Sequence, residues 1–146
     1  MATHATASGI TITDFRDSDE WTELPFGLRQ TVLHVGGAEP SNPILVMTSF
    51  PPDRILPRHS HPAPFCDAVV AGSMWVEDDE RWYPAGTVRS VPSGTVYGPT
   101  RSGPDGLTLL EFYATFAGFP ADMVWDSMTD DQLAEIERYR AQRAPS

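Results

Sequence analysis

The chain has 146 residues, of which 40% are hydrophobic and 21% are charged, which is the size and composition of one globular domain and not of a disordered chain. Asp and Glu number 20 against 10 basic residues, and the formal net charge of −10 disfavours nucleic acids and anionic membranes as partners. Every basic residue is Arg, which excludes chemistry that needs a lysine amine, such as a Schiff base or a P-loop.

The single cysteine, Cys66, excludes an internal disulfide and any metal site built from several cysteines. The first residues lack the basic and apolar regions of a secretory leader, and no stretch approaches the roughly 18 apolar residues of a membrane span. We therefore expect a cytoplasmic protein that is not anchored in a membrane.

Short segments separated by turns dominate the chain, because it contains 14 prolines and 11 glycines, and this pattern is typical of an all-β domain. Residues 1–20 are expected to form an N-terminal arm with one short strand at 10–13, and residues 21–126 a barrel. In the barrel, a turn at 103–106 is predicted before the last strand. Strands are predicted over 27–35, 43–50, 54–61, 67–77 (one or two strands around Gly72), 81–84, 87–91, 95–97 and 107–116.

Residues 127–146 are expected to carry the one helix, over about 129–143. Thr129 and Gln132 have the spacing of a capping box, and Met128 and Leu133 have that of a hydrophobic staple. Acidic residues precede arginines along this segment, which is the order that the helix dipole favours. We expect the helix to pack on the outside of the barrel or on a second subunit.

His59 and His61 lie two residues apart in a predicted strand, so both imidazoles point to the same face. Two imidazoles side by side inside a barrel suit a divalent transition metal such as Fe, Mn, Ni, Cu or Zn. The same spacing also fits two buried, hydrogen-bonded histidines that bind no metal.

A second motif, G-x5-P-x-G-x2-Y, is formed by Gly86, Pro92, Gly94 and Tyr97. Together with the His-x-His pair and Gly72, it resembles the two motifs of the cupin superfamily, and the resemblance covers about residues 43–116. It is greatest to small single-domain cupins, which include β-diketone and acetophenone dioxygenases and the metal domains of anti-sigma factors. The resemblance implies an all-β fold, a double-stranded β-helix (jelly-roll) barrel with one C-terminal α-helix.

In cupins the metal is typically held by the two histidines of the first motif, a Glu four residues later, and the His that ends the second motif. Those last two positions are Phe65 and Tyr97 here, so only His59 and His61 carry over as metal ligands. The metal motif is therefore degenerate. Phe65 in place of an acid also makes the predicted substrate pocket more apolar, which favours a hydrophobic or aromatic small molecule.

Two neighbouring residues are candidates for the missing ligand or for a base. Asp67 has the strand parity of Phe65, whereas Cys66 has the opposite parity and fits a longer spacing variant of the family. They cannot both point inward from a regular strand. Phe65, Cys66 and His34 are predicted to line the substrate pocket.

Three residues elsewhere are also candidates. A carboxylate in the apolar strand around Glu111 is costly unless it is paired, bound to metal, protonated or facing water. Tyr97 has three available roles: phenolate ligand, proton donor and hydrogen-bond partner of a substrate oxygen. The predicted strand of His34 places that ring at the pocket, and Arg89 is expected on the outside of the barrel by parity with its neighbours.

Two functions are open, and a third interpretation is a purely structural module that dimerises. In the first, His59 and His61 hold a divalent metal with Asp67 or Glu111, and a carbonyl-containing substrate undergoes dioxygenase-type cleavage or an enolate step of a lyase or isomerase. In the second, the barrel binds no metal, and the two histidines, Tyr97 and Glu111 act as acid–base groups or anchors of a biosynthetic cyclase, an isomerase or a small-molecule binding domain. In both cases the expected partners are a small-molecule substrate and a second copy of the chain, as a homodimer.

Overall fold

The computed structural model describes residues 3–17 and 20–143. Its strands in these ranges are β1 (Thr3–Ala5), β2 (Thr11–Thr13), β3 (Thr22–Glu23), β4 (Arg29–His34), β5 (Ile44–Phe50), β6 (Ile55–Leu56), β7 (His59–Ser60), β8 (Phe65–Val76), β9 (Arg81–Pro84), β10 (Val88–Val91), β11 (Thr100–Tyr113) and β12 (Asp122–Met123), and its α-helix is α1 (Asp130–Arg143). Short 3-10 turns lie at Phe15–Asp17, Pro25–Gly27, Glu77–Asp79 and Trp125–Ser127. None of the helices in this part of the chain is long and apolar enough to cross a membrane.

One large antiparallel sheet contains most of the strands, in the order β10-β8-β11-β5-β4-β3, with β6 added to β11 and β9 added to β8. Two small sheets, β1-β2 and β7-β12, complete the fold. Side chains alternate between the two faces of the large sheet, and in β5 every second residue from Ile44 to Phe50 is buried. The all-β fold with one C-terminal helix is therefore confirmed.

Two clusters of buried apolar side chains form the core of the barrel. One contains Phe26, Leu28, Phe50, Leu107, Leu109 and Ile136 with their neighbours, and the other contains Ile44, Val46, Phe65, Val91 and Tyr113. Members of both clusters line the cavity described below, so the core and the cavity share their walls.

The strands β8 and β11 are longer than predicted, and the turn expected at 103–106 is wrong. At Gly72 (φ +74°) a Cβ atom would lie 2.0 Å from the carbonyl oxygen of Gly106, so the two main chains approach too closely for any side chain there. The pairing of β8 with β11 shifts register between Ser102 and Leu107 and then resumes. The irregular segment therefore stays inside the sheet instead of reversing the chain.

Of two other predicted strands, one is divided and one is replaced by a single bridge. The segment 54–61 divides into β6 and β7 around Pro57, which has no N–H to donate to a ladder. The segment 95–97 forms no strand, but Tyr97 makes an isolated antiparallel bridge with His59. That bridge places the two side chains on the same face.

The helix α1 begins where the capping box predicts: the N–H of Gln132 donates to the Thr129 hydroxyl (3.2 Å), and the N–H of Thr129 donates to the Gln132 side chain (3.0 Å). It packs across the end of the barrel and not on its outer wall. Ile136 is buried in the first cluster, and the Glu135 carboxylate accepts a hydrogen bond from the N–H of Phe26 (2.8 Å). These contacts make α1 part of the cavity wall.

Candidate active site

A cavity of about 350 Å³ lies inside the barrel, which is the size of a small-molecule site. Its lining divides into two parts by chemistry. The polar floor consists of His59, His61, Asp67, Arg89, Tyr97, Glu111 and Tyr113. The mostly apolar mouth includes Leu24, Phe26, Leu56, Met123, Trp125, Ile136 and Tyr139, and its one charged residue is Arg140, whose guanidinium lies over the Trp125 ring, 5.2 Å from the centroid.

Both imidazoles of the floor are fixed in one tautomer by backbone carbonyls. The Nδ1 of His59 lies 2.8 Å from the carbonyl oxygen of Pro57, and the Nδ1 of His61 lies 2.6 Å from that of Phe119. Because a carbonyl oxygen only accepts, Nδ1 carries the hydrogen in both rings and Nε2 has the lone pair. Burial lowers the pKa of His59 to about 4 and also lowers the pKa of His61, so both rings are neutral at pH 7.

The hydroxyl of Tyr97 lies between these two lone pairs, 2.8 Å from the Nε2 of His59 and 3.2 Å from that of His61. Its position follows from the bridge to His59, in which each residue donates its N–H to the carbonyl of the other, at 3.0 and 3.2 Å. Burial raises the pKa of Tyr97 well above its usual value, so the phenol keeps its proton. One proton serves two imidazoles, and only one of them receives it at a time.

Glu111 and Tyr113 stand two residues apart on β11 and face the cavity together. The Tyr113 hydroxyl is 2.5 Å from the Glu111 carboxyl and 3.4 Å from the Nε2 of His61. Burial, reinforced by the charge of Asp67, raises the pKa of Glu111 to about 7, against the hydrogen bonds from Tyr113 and Thr48 and the charge of Arg89. Glu111 therefore gains or loses a proton near neutral pH.

The state of Glu111 decides where the Tyr113 proton points. When Glu111 is ionised, Tyr113 donates to it, and His61 loses that donor. When Glu111 is protonated, it donates to the Tyr113 oxygen, and the Tyr113 hydroxyl is free to donate to the Nε2 of His61. A single proton on Glu111 thus controls whether Tyr113 can donate to His61, whose other donor within reach is Tyr97.

Asp67 and Arg89 form a buried ion pair on the floor. The guanidinium contacts both carboxylate oxygens, at 2.7 and 3.2 Å, and lies over the ring of Tyr97, 4.8 Å from its centroid. The expectation that Arg89 lies outside the barrel is wrong. Arg89 stands directly opposite Asp67 in the β10–β8 ladder, and opposed residues of a ladder share a face.

The structure brings five of the predicted site residues together on the floor: His59, His61, Tyr97, Glu111 and Asp67. Their chemical roles remain proposals. It does not place the three predicted pocket residues, Phe65, Cys66 and His34, in the cavity lining.

Each of these three corrections has a physical reason. Phe65 is buried behind the floor, where its ring stacks on Tyr113 at 4.8 Å between centroids and supports the tyrosine and histidine rings. Cys66 is opposite Phe112 and has the outward parity of β8, because Asp67 takes the inward position. His34 ends β4 at the far edge of the sheet, where it packs edge-on against Phe116 (4.6 Å).

Sequence reasoning missed three parts of the cavity. Tyr113 could have been predicted from the sequence, because it lies two residues from Glu111 and therefore on the same face of the strand. Arg89 needed the ladder register, and Ile136 on α1 needed the docking of the helix, and neither can be read from local spacing.

The fit of a transition metal to these residues is poor. Binding sites for such ions use at least three protein ligands, and the described ranges hold no group of three or more His, Cys, Asp or Glu side chains suited to one. Asp67 is engaged by Arg89, Glu111 is hydrogen-bonded to Tyr113, and Phe65 stands at the family's Glu position. The two Nε2 atoms instead converge on a tyrosine hydroxyl. The residues present therefore do not fit a resident metal.

Comparison of the sequence with protein-family models and with curated proteins finds no match. Solved structures do match. An RmlC-like cupin from Shewanella frigidimarina superposes with a TM-score of 0.58 over 77% of this chain and 93% of its own, at 19% identity. The fold is a cupin fold.

Two further cupin-type matches extend this result. The polyketide cyclase RemF from Streptomyces resistomycificus has a TM-score of 0.56 and 19% identity over 81% of this chain and 80% of its own. The structure of Rhodobacter sphaeroides SigE in complex with the anti-sigma ChrR matches 68% of this chain, with a TM-score of 0.57 and 21% sequence identity. The present chain spans about half, 51%, of the chain matched in that complex. At such identities the similarity establishes the fold.

Proposed function

We propose that this cupin is a metal-independent acid–base catalyst that enolises a small carbonyl compound of apolar or aromatic character, in an isomerase or cyclase reaction. The observation that carries the proposal is one arrangement: two neutral imidazoles share the Tyr97 hydroxyl beside a buried carboxyl whose pKa is about 7. Groups with shifted pKa values in a closed cavity are typical of acid–base sites.

His61 is the base in this proposal. Tyr97 lies closer to His59 than to His61 (2.8 against 3.2 Å), so His59 is the better-placed acceptor of its proton. With Glu111 ionised, Tyr113 donates to the carboxylate, and the Nε2 of His61 is left with an unoccupied lone pair. The active form is therefore the one with Glu111 ionised and His61 neutral.

The reaction is a proton transfer. His61 takes a proton from the carbon next to the substrate carbonyl, and the C–H electron pair moves into the enolate. When the substrate binds, the Tyr97 hydroxyl turns from the Nε2 of His59 to the substrate oxygen and donates its one hydrogen bond there, where negative charge develops. Tyr113 accepts a hydrogen bond from the new imidazolium and donates to Glu111, whose negative charge offsets it. Return of the proton from the His61 imidazolium to a different carbon gives an isomer. When the enolate carbon instead attacks a second carbonyl of the same substrate, the new C–C bond closes a ring, and the imidazolium returns its proton to the alkoxide that forms.

The apolar mouth supports the substrate class. Leu24, Phe26, Leu56 and Ile136 offer no charge to a ligand, and they lead directly to the polar floor. Such a lining favours a molecule that is apolar at its body and carbonyl-bearing at one end. The likeness to a polyketide cyclase agrees with a ring-closing reaction.

Deuterium exchange tests this proposal. Protein dialysed against a chelator is incubated in D₂O with 4-methylacetophenone, whose acetyl methyl exchanges through an enolate while its ring methyl is an internal control. We expect incorporation into the acetyl methyl by the wild type and a loss of about 10²- to 10³-fold in Tyr97→Phe. The matched control is Tyr83→Phe, since the hydroxyl of Tyr83 bonds the exposed Asp79 and Tyr83 is not part of the cavity lining.

Elemental analysis of protein purified without chelator gives the second arm. Near-stoichiometric Fe, Mn, Ni, Cu or Zn that is lost in the His59→Ala, His61→Ala double variant would overturn the metal-independent proposal in favour of a metal-dependent cupin enzyme. Saturable binding of the ketone without exchange would instead favour a small-molecule binding domain. The homodimer also stays a prediction, which light scattering of the purified protein tests.

A further inference from the structure

One buried hydroxyl in the cavity wall has no hydrogen-bond partner. Thr100 is 2% exposed and lines the cavity, and its Oγ1 atom makes no hydrogen bond to any residue in the described ranges 3–17 and 20–143. The only other such side-chain atom there is the Nδ1 of His34, which lies outside the cavity lining. Buried hydroxyls are normally paired, so this exception needs an explanation.

The surroundings of Thr100 show why the protein itself does not satisfy it. Thr100 is opposite Leu56 of β6 on one side and Val76 of β8 on the other, and neither side chain can hydrogen-bond. The two ladders fix the main chain, and the branched side chain of Thr has few rotamers. The hydroxyl is therefore held in a wall whose nearest cross-strand neighbours are apolar.

The position of Thr100 within the cavity gives this hydroxyl a use. Thr100 follows Tyr97 by three residues, and both belong to the cavity lining. A substrate whose carbonyl reaches the Tyr97 hydroxyl therefore extends along a wall that offers one more polar atom. A hydroxyl both donates and accepts, so it pairs best with a ligand hydroxyl, which does the same.

We propose that the Thr100 hydroxyl is a specificity determinant that binds a second polar substituent of the substrate, and that the substrate class is hydroxylated aromatic ketones. The inference rests on the proposed function for the position of the carbonyl. A ligand without the second polar group leaves the Thr100 hydroxyl buried and without a hydrogen bond. The free-energy cost of that unpaired hydroxyl makes such a ligand bind more weakly than one that carries the group.

Two probes of equal shape test the inference by titration calorimetry: 4-hydroxyacetophenone and 4-methylacetophenone, which differ by a hydroxyl in place of a methyl. We expect wild-type protein to bind the hydroxylated probe about three- to tenfold more tightly. In Thr100→Val, which keeps the shape and removes the hydroxyl, this preference disappears. In Thr100→Ser, which keeps a hydroxyl, it is retained.

A melting curve separates this role from a structural one. Thr100→Val is expected to melt at the same temperature as the wild type or higher, because the hydroxyl that it removes is unpaired in the free protein. A clear drop in melting temperature would show that Thr100 is bonded within the protein, and would overturn the inference. Equal affinity for both probes, a preference that persists in Thr100→Val, or no saturable binding of either probe would overturn it as well.

Failure of the proposed function gives a different pattern. If the Thr100-dependent preference is present and the acetyl methyl does not exchange, the binding inference stands and the catalytic proposal falls. If the acetyl methyl exchanges but the wild type binds both probes equally, the catalytic proposal stands and the inference about Thr100 falls.

Discussion

The polar floor and the apolar mouth of the cavity are built in different ways. Floor residues come from strands of the barrel and the His59–Tyr97 bridge, and each of their polar side chains is tied to a neighbour by hydrogen bonds of 2.5 to 3.4 Å. The mouth comes from the 24–27 segment, Leu56 of β6, the 120–125 segment and α1. Two hydrogen bonds tie α1 to the first of these regions and to the residue before it: the Glu135 carboxylate accepts from the N–H of Phe26, and Arg143 donates to the carbonyl of Glu23.

This difference separates two tasks. Acid–base chemistry needs atoms held within fractions of an ångström, and a hydrogen-bonded sheet supplies that precision. Admission and release of a ligand need segments that can separate, and the mouth is held by the packing of Phe26 and Ile136 in the first cluster and by few hydrogen bonds. Substitutions in the floor should therefore change the rate of exchange, whereas substitutions in the mouth should change binding and stability.

The largest effect is expected at His61. His61→Gln removes the proposed base and should lower the deuterium exchange of 4-methylacetophenone by about 10²- to 10⁴-fold. The matched control is His34→Gln, because His34 is a histidine of the same barrel that lies outside the cavity lining. Equal rates in both variants would show that His61 takes no proton.

Arg89→Met tests how far the floor depends on its ion pair. Asp67 is 2% exposed, and without Arg89 it becomes a buried carboxylate with no counter-charge, so we expect a loss of about 3–5 kcal/mol in the free energy of unfolding. Adding Asp67→Asn to Arg89→Met should recover most of the lost free energy of unfolding, because the buried charge is then removed as well. The exposed pair of Asp14 and Arg16 gives the comparison, and Asp14→Asn should have a far smaller effect, since water screens it. Urea denaturation measures all of these changes.

The pH dependence of stability should expose two opposing titrations in the floor. Glu111 has a pKa of about 7 in the folded protein against 4.5 ordinarily, so its ionisation lowers the free energy of unfolding as the pH rises through that window, by about 3 kcal/mol at most. His59 has a pKa of about 4 against 6.5, so the free energy of unfolding rises as the pH rises from 4 to 6.5. Where the windows overlap, the two slopes cancel.

Glu111→Gln should remove one of these slopes. The variant is expected to gain stability steadily from about pH 4 to 6.5 and to exceed the wild type at about pH 8, as measured by urea denaturation. Its exchange rate should also lose the rise near pH 7 that ionisation of Glu111 gives the wild type. Glu137→Gln, which removes an exposed carboxyl of α1, is the control. A variant curve parallel to that of the wild type would contradict the pKa assigned to Glu111.

The smallest effect is expected in the mouth. Ile136→Ala removes a buried side chain that joins α1 to the core, and should lower the free energy of unfolding by about 2 kcal/mol. It should weaken binding of 4-methylacetophenone a few-fold and leave the exchange rate at saturating ketone unchanged. The control on the exposed side of the same helix is Glu137→Ala. A fall in the saturated rate with unchanged affinity would place α1 in the chemistry.

The sequence by itself determined the class of fold, the pairing of His59 with His61 on one face, and the start of α1. Each of these follows from local rules: a period of two in strands, turn residues between them, and a capping box whose partners are three residues apart. The motif skeleton also predicted that Tyr97 would meet the histidines, and the bridge to His59 shows how.

Only the tertiary structure decided that Asp67 faces Arg89, that Cys66 and His34 lie away from the cavity, and that α1 closes its mouth. Ladder register and helix docking are contacts between residues far apart in the chain, and they depend on which whole face is buried. Residues 103–106 are an example: their sequence predicts a turn, but the close approach of Gly72 to Gly106 and the register shift beside it keep them inside the sheet.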